Sequence, residues 1–249
     1  NHYATTSGTN LVVPDFFSTS NFLGEPNVDF TNYKKETYSA FGSVNLGYMN
    51  YLFLDLTLRN DWSSTLPKGN WSYLYPSVNI GFIFTDAFKI ESSVLTYGKI
   101  RAGYATVGND TEPYQLRTTF QSQGTSFNGV NLFGSGTTLL KGDLLPEKTK
   151  SIEIGGELKF FNNRIGLDIT YYHAETFNQL LRVDIPNSSG YGAWMKNAGS
   201  ILNKGVEIQL SATPVSLSSG FKWDLLLNWS TNQNEVTKLD DGLDRLQIN

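Results

Sequence analysis

The 249-residue chain contains no cysteine. That excludes a disulfide scaffold and any thiolate metal site, and it suits a chain exported through an oxidising compartment. Histidine is almost missing as well, with only His2 and His173. No G-x-S-x-G, Gly-rich phosphate loop or H-E-x-x-H accompanies them. His173 lies near Asp168 and Glu175 in sequence, but without a positioned nucleophile it reads as a hydrogen-bonded strand-end residue, not a triad member. These absences point away from an enzyme and from any cofactor. There is no block of basic residues and the net charge is −4, so nucleic acid is not an expected partner. Nor is any apolar run long enough for a membrane-spanning helix. A mean hydropathy of −0.27 argues against an ordinary membrane protein. A membrane β-barrel escapes that argument, because only alternate residues meet lipid. The first residues show no initiator Met and no signal-like apolar stretch, so the chain reads as a piece of something longer.

Aromatic residues make up 14% of the chain, alongside 23 Gly. Helix-period stretches are nearly absent, and period-two stretches recur from Tyr38 onward. In the run from Tyr51 to Asn60, Leu52, Leu54, Leu56 and Leu58 share one phase, against Asp55, Thr57 and Arg59. Ile152, Ile154, Leu158 and Phe160 oppose Glu153, Glu157 and Lys159. Ile165, Leu167, Ile169 and Tyr171 oppose Asp168 and Thr170. Similar runs start near Tyr38, Ser77, Thr96, Val206 and Phe221, which predicts eight strands with one apolar and one polar side. Phe41, Phe53, Ile83 and Leu226 break the pattern by falling in the polar phase.

The connections alternate in length. Met49-Asn50, Phe161 to Asn163 and Pro214 to Gly220 are short; Thr65 to Tyr73, Asn109 to Lys150 and Asn187 to Asn203 are long. A meander that sorts short turns to one end and long loops to the other is the pattern of an outer-membrane barrel. Tyr48, Phe160, Phe221 and Trp223 sit in the apolar phase near short turns, and Tyr104, Tyr171 and Trp229 toward the long loops. Two aromatic belts bracketing an aliphatic band mark two membrane interfaces. The expected fold is therefore all-β: an antiparallel transmembrane barrel wall whose apolar face meets outer-membrane lipid.

The long connections also carry aromatic residues among amides and hydroxyls. Tyr114, Tyr191 and Trp194 are the candidate ligand contacts, since aromatic faces beside amides suit sugars or peptides. Packing of the loops against one another is the competing reading. The acidic run Asp240, Asp241 and Asp244 reads either as a calcium site lacking the full loop pattern or as solvated surface. Three glycosylation-type triplets, at Asn70, Asn187 and Asn228, are short enough to arise by chance.

Several blocks taken in order add a resemblance. They are "YLFLDLTLRNDWSSTLP" (51–67), "YLYPSVNIGFIFTDAF" (73–88), "YGKIRAGYATVGND" (97–110), "LLPEKTKSIEIGGEL" (144–158) and "KNAGSILNKGVEIQL" (196–210). In order and spacing the chain resembles the SusC/RagA family of TonB-dependent outer-membrane transporters of Bacteroidetes. The resemblance implies that this is an eight-strand portion of a plugged barrel of about 22 strands. It implies residues 1–35 as an extracellular loop segment, 36–239 as barrel, and 240–249 as the start of another extracellular loop. It further implies a Gram-negative outer membrane, energised import of oligosaccharides or peptides, a SusD-like surface lipoprotein as partner, and a TonB complex acting through parts this chain lacks. The alternative is a soluble or small self-closed β-domain that binds carbohydrate at the cell surface.

Overall fold

The computed structural model describes residues 2–7, 10–24 and 27–239. Two compact units divide the chain, one over residues 1–36 and one from Thr37 onward. In the first, β1 (His2–Ser7) pairs antiparallel with β2 (Asn27–Asn32). The segment between them is held by the Asn21 side chain, which donates to the carbonyls of Val13 and Phe16 and accepts from the Val13 amide at 2.9 Å. The stretch expected as a loop thus contains a paired hairpin.

The second unit is built on eight long strands. They are β3 (Thr37–Tyr48), β4 (Leu52–Ser63), β5 (Ser72–Ile83), β6 (Leu95–Asn109), β10 (Glu147–Phe160), β11 (Ile165–Phe177), β14 (Gly199–Ser216) and β15 (Lys222–Leu239). They form one antiparallel sheet in the order β15-β14-β11-β10-β6-β5-β4-β3, a meander in which every chain neighbour is a sheet neighbour. Among the described residues β3 and β15 have a single partner each, so the sheet is open, as expected of a portion of a larger barrel and against the alternative of a self-closed eight-strand one. The short turns use left-handed residues, Met49 and Asn50 at one and Phe161 to Asn163 at another. Asparagine tolerates that region better than most residues.

The long connections are less bare than the sequence suggested. Between β6 and β10 lie β7 (Phe120–Phe127), β8 (Val130–Ser135) and the two-residue β9 (Thr138–Leu139). Between β11 and β14 lie β12 (Leu180–Asp184) and β13 (Ala193–Asn197). β7 and β8 pair as a hairpin, and β12-β13-β9 make a small sheet. A single helical turn, α1 (Phe84–Ala87), follows β5. These elements escaped the sequence reading because they are short and lack sustained alternation.

Cross-strand register keeps the two phases apart. Leu58 faces Gly42 and Pro76, Ile154 faces Ala102 and Tyr171, and Leu227 faces Leu210. The apolar side is covered by no protein among the described residues: Ile154 is 57% exposed and Leu227 61%. The buried apolar side chains are instead Leu66, Leu144, Val183, Ala193 and Ala198. All five lie at the long-loop end, so the packed core of this unit sits beyond the eight long strands. At the short-turn end a chain of edge-on rings runs Tyr48–Tyr51–Phe82–Phe88, at 5.7, 6.2 and 6.0 Å between centroids.

One seam in the wall is incomplete. β5 and β6 pair only from Ser77 to Ile83, and the ladder stops at Pro76. Proline has no amide hydrogen to donate, which ends pairing there. Tyr73 and Tyr75, edge-on at 5.0 Å, fill the gap against Gly108. A side chain at Gly108 would meet the Tyr75 ring at 2.6 Å.

Candidate functional site

The polar face and the long-loop end hold the polar chemistry. On the polar face, Arg101 of β6 reaches across β10 to Asp168 of β11, donating two hydrogen bonds at 2.8 and 2.7 Å, with a third at 2.6 Å to Thr170. Its path crosses Gly155, which pairs with both Arg101 and Thr170. A Cβ at Gly155 would stand 2.8 Å from the guanidinium Nε, so glycine is what lets the arginine lie flat across the strand. Such a bidentate pair is the most directional ion pair available. Beside it, a recess of about 470 Å3 is lined by Glu207, Gln209, Asn228 and Ser230. Phe53, out of phase in sequence, borders a second polar recess with Asp55, Lys99 and Glu153. The mixed charges expected on this face are therefore partly tied to one another.

At the long-loop end, polar residues knit separate connections together. Ser63, fully buried, donates to Asp110 and bonds the Thr65 hydroxyl at 2.9 Å. Arg59 pairs with the buried Asp61 at 2.8 Å and donates to Ser39. The Glu147 carboxylate accepts the Leu180 amide at 2.8 Å, holding the start of β12 to the start of β10. Asn197 of β13 clamps Leu145 from both sides, accepting its amide and donating to its carbonyl at 2.9 Å, and also donates to Asn178. Asn70 donates to the carbonyl of Leu144, itself buried. These ties link the connections after β4, β6, β9 and β11. Sequence reasoning missed all of them as site-forming residues. The available signal was that Arg59, Asp61, Ser63, Asp110, Glu147 and Asn197 all lie within the resemblance blocks.

The candidate ligand residues fall on different connections. Tyr114 follows β6, has a left-handed backbone (φ 65°) and is 65% exposed. Tyr191 precedes β13, and Trp194 lies within it, opposite Val183 and Leu139. Lys196 Nζ stands 4.4 Å from the Trp194 ring centre and Lys141 Nζ 5.8 Å. The indole Nε1 is buried without an acceptor among the described residues. Two cations therefore already lie within reach of this ring. His173 is not at a strand end; it lies within β11, in phase with Tyr171, opposite Ile152 and Lys204. Among the described residues no cluster of three or more His, Cys, Asp or Glu is placed to hold a metal ion. Asp240, Asp241 and Asp244 lie outside the described residues.

Comparison with known proteins places this architecture. The family described as "TonB dependent receptor-like, beta-barrel" matches residues 2–247. A TonB-dependent receptor of Formosa agariphila is 32% identical over 215 residues, 84% of this chain and 21% of its own length. The TonB-dependent receptor SusC of Bacteroides thetaiotaomicron is 31% identical over 216 residues, 83% of this chain and 21% of its own. Among solved structures, the RagAB peptide transporter aligns with a TM-score of 0.81 at 25% identity, over 93% of this chain and 26% of that one. The siderophore receptor PirA of Acinetobacter baumannii, at 17% identity and a TM-score of 0.52, shares the fold alone. The chain thus spans about a fifth of the length of the curated relatives it matches. An open antiparallel meander, apolar on one side and charged on the other, matched along nearly its whole length, belongs to the TonB-dependent receptor β-barrel family.

Proposed function

We propose that this chain is a wall segment of an outer-membrane TonB-dependent transporter that imports oligosaccharides or peptides together with a SusD-like surface lipoprotein. The observation that carries the reading is the knitted long-loop end. Four connections are tied by side-chain bonds into one platform, built largely from residues in the stretches by which the chain resembles SusC/RagA proteins. The kinship with SusC, and the RagAB neighbours described as peptide importers, support import and the partnered arrangement. In this reading the long connections form the extracellular mouth, the polar face lines the lumen, and the apolar face meets lipid. The free edges of β3 and β15 then pair with further strands of the whole barrel, because unsatisfied backbone groups in lipid cost several kcal/mol each. Coupling to TonB runs through other parts of the protein.

Sidedness is tested by single-cysteine labelling of intact cells with a membrane-impermeant reagent, in the full-length protein. Position 188, in the connection before β13, is expected to label, and positions 162 and 218, in short turns, are not. Partnering is tested by affinity isolation of the full-length protein from its own cells, with recovery of a surface lipoprotein as the expected result. Uptake of glycan and of peptide by a deletion strain then assigns the substrate class. Labelling at 162 with silence at 188 would invert the orientation and sink the mouth assignment.

A further inference from the structure

Along most strands the apolar phase carries no charge. It carries charge only toward the long-loop end, on β10, β11, β14 and β15. In β10, Lys148 and Lys150 continue the phase of Ile152 and Ile154. In β11, His173 continues the phase of Ile169 and Tyr171. In β14, Lys204 continues the phase of Val206 and Ile208. Register brings these together: His173 stands directly opposite Ile152 on one side and Lys204 on the other, and Lys150 lies one rung further toward the long loops. Side chains directly opposite across antiparallel strands, and their diagonal neighbours, are within mutual reach. Lys150 is propped over the Phe177 ring at 5.1 Å, and none of Lys148, Lys150 and Lys204 forms an ion pair within 4 Å among the described residues.

The level of this patch matters. Tyr104 pairs with Ile152, Tyr171 with Ile154 and Trp229 with Ile208, so the cations begin at the aromatic belt and extend just beyond it. On β6 the positions paired with Lys150 and Lys148 are Thr106 and Gly108, both uncharged. Two carboxylates share the patch. Glu175, opposite Lys150, accepts from Thr237 at 3.4 Å, and Glu235 lies on the edge strand opposite Leu202. Three lysines therefore outnumber two glutamates. Lysines on a lipid-facing wall are costly in hydrocarbon and settle at headgroup depth, where their stems lie along apolar surface. With no ion pair formed to Glu175 or Glu235 among the described residues, their complement at that depth is an anionic headgroup.

We infer that Lys148, Lys150 and Lys204, with His173 beside them, form a binding site for the phosphate groups of an outer-leaflet glycolipid on the lipid-facing surface of β10, β11 and β14. The inference rests on the sidedness and face assignment proposed above. The labelling experiment fails if that assignment is wrong, whereas the lipid experiment fails alone if only this site is wrong. The test uses the full-length protein in neutral detergent, with bisphosphorylated lipid A as the probe and bound lipid counted by native mass spectrometry. The triple variant K148Q/K150Q/K204Q should lose affinity on the order of a hundredfold, the effect of three lysines at an anionic membrane surface. The control K68Q/K89Q/K222Q should bind like wild type, and K148R/K150R/K204R should restore binding. Lipid A stripped of its phosphates should bind wild type no better than the Gln variant. Equal lipid counts for wild type and a Gln variant that keeps its heat-modifiable barrel migration would overturn the site. So would displacement of the lipid by millimolar inorganic phosphate, which would mark a soluble-anion site. If the Gln variant fails to fold, the Arg variant against phosphate-free lipid A decides: tight binding of the stripped lipid overturns the proposal.

Discussion

The wall of eight strands and the knitted long-loop end are stabilised in opposite ways. The wall buries almost nothing among the described residues. Its strands are held by a ladder of backbone bonds, and Leu58, Ile154 and Leu227 remain more than half exposed. The long-loop end has a small packed core around Leu66, Leu144, Val183 and Ala193, and polar ties around it. In the proposed setting lipid completes the wall's apolar surface, so its stability depends on its solvent. The loop end carries its own core, so its order depends on specific side-chain bonds. Substitutions can therefore be sorted by which solvent or partner they disturb.

The largest effect should come from placing a charge on the apolar face. Arginine at Ile154, Leu167 or Leu227 is expected to cost about 2–4 kcal/mol near the bilayer midplane, measured by folding of the full-length barrel into lipid vesicles. Arginine at Gln209 or Asn228, on the polar recess side, should cost far less. Thr170 is a poor comparator, because its hydroxyl already accepts from Arg101. Equal costs on the two faces would erase the difference between them.

Next come the glycines of the wall. Gly155→Val drives a side chain into the Arg101 guanidinium, and Gly205→Val drives one into the Tyr172 ring and the Thr231 carbonyl. Each should cost about 1–3 kcal/mol of barrel stability by overpacking. The Gly155 variant should lose the Arg101–Asp168 pair as well, and a Gly155→Val/Arg101→Ala double variant should recover part of the loss. Simple additivity of the two changes would show that the clash is not with Arg101.

Breaking a tie at the loop end should be smaller for the whole barrel and larger locally. Asn197→Ala leaves the Leu145 amide and carbonyl without their partner. A local loss of about 0.5–1.5 kcal/mol is expected, read as faster hydrogen exchange at Leu145 and in β12 with the wall strands unchanged. Acceleration spread over β3 to β6 would mean that the loop end and the wall unfold as one. The smallest effect is expected for Lys141→Met. It removes an exposed pair with Asp143 and a distant cation over Trp194. Thermal stability should change by less than about 1 kcal/mol.

The sequence by itself determined the wall. Strict alternation at Leu52 to Leu58, Ile152 to Phe160 and Ile165 to Tyr171 specifies strands, faces and register together, because a slip of one residue would turn every apolar side chain to the wrong face. Alternating loop lengths specified which strand ends lie together. The observed strands run past the alternating stretches, by a few residues at Ser63 and Phe177 and by a further half-strand to Leu239, where polar sequence carries no alternation to read. What only the tertiary structure decided is the long-loop end. Nothing in the local pattern says that Ser63 bonds Asp110, that Asn197 clamps Leu145, or that Trp194 is engaged by two lysines, because each pairing joins residues on separate connections. Alternation records which side of a sheet a residue takes. Contacts between loops leave no period in the chain, and they exist only once the strands have brought those loops to one end.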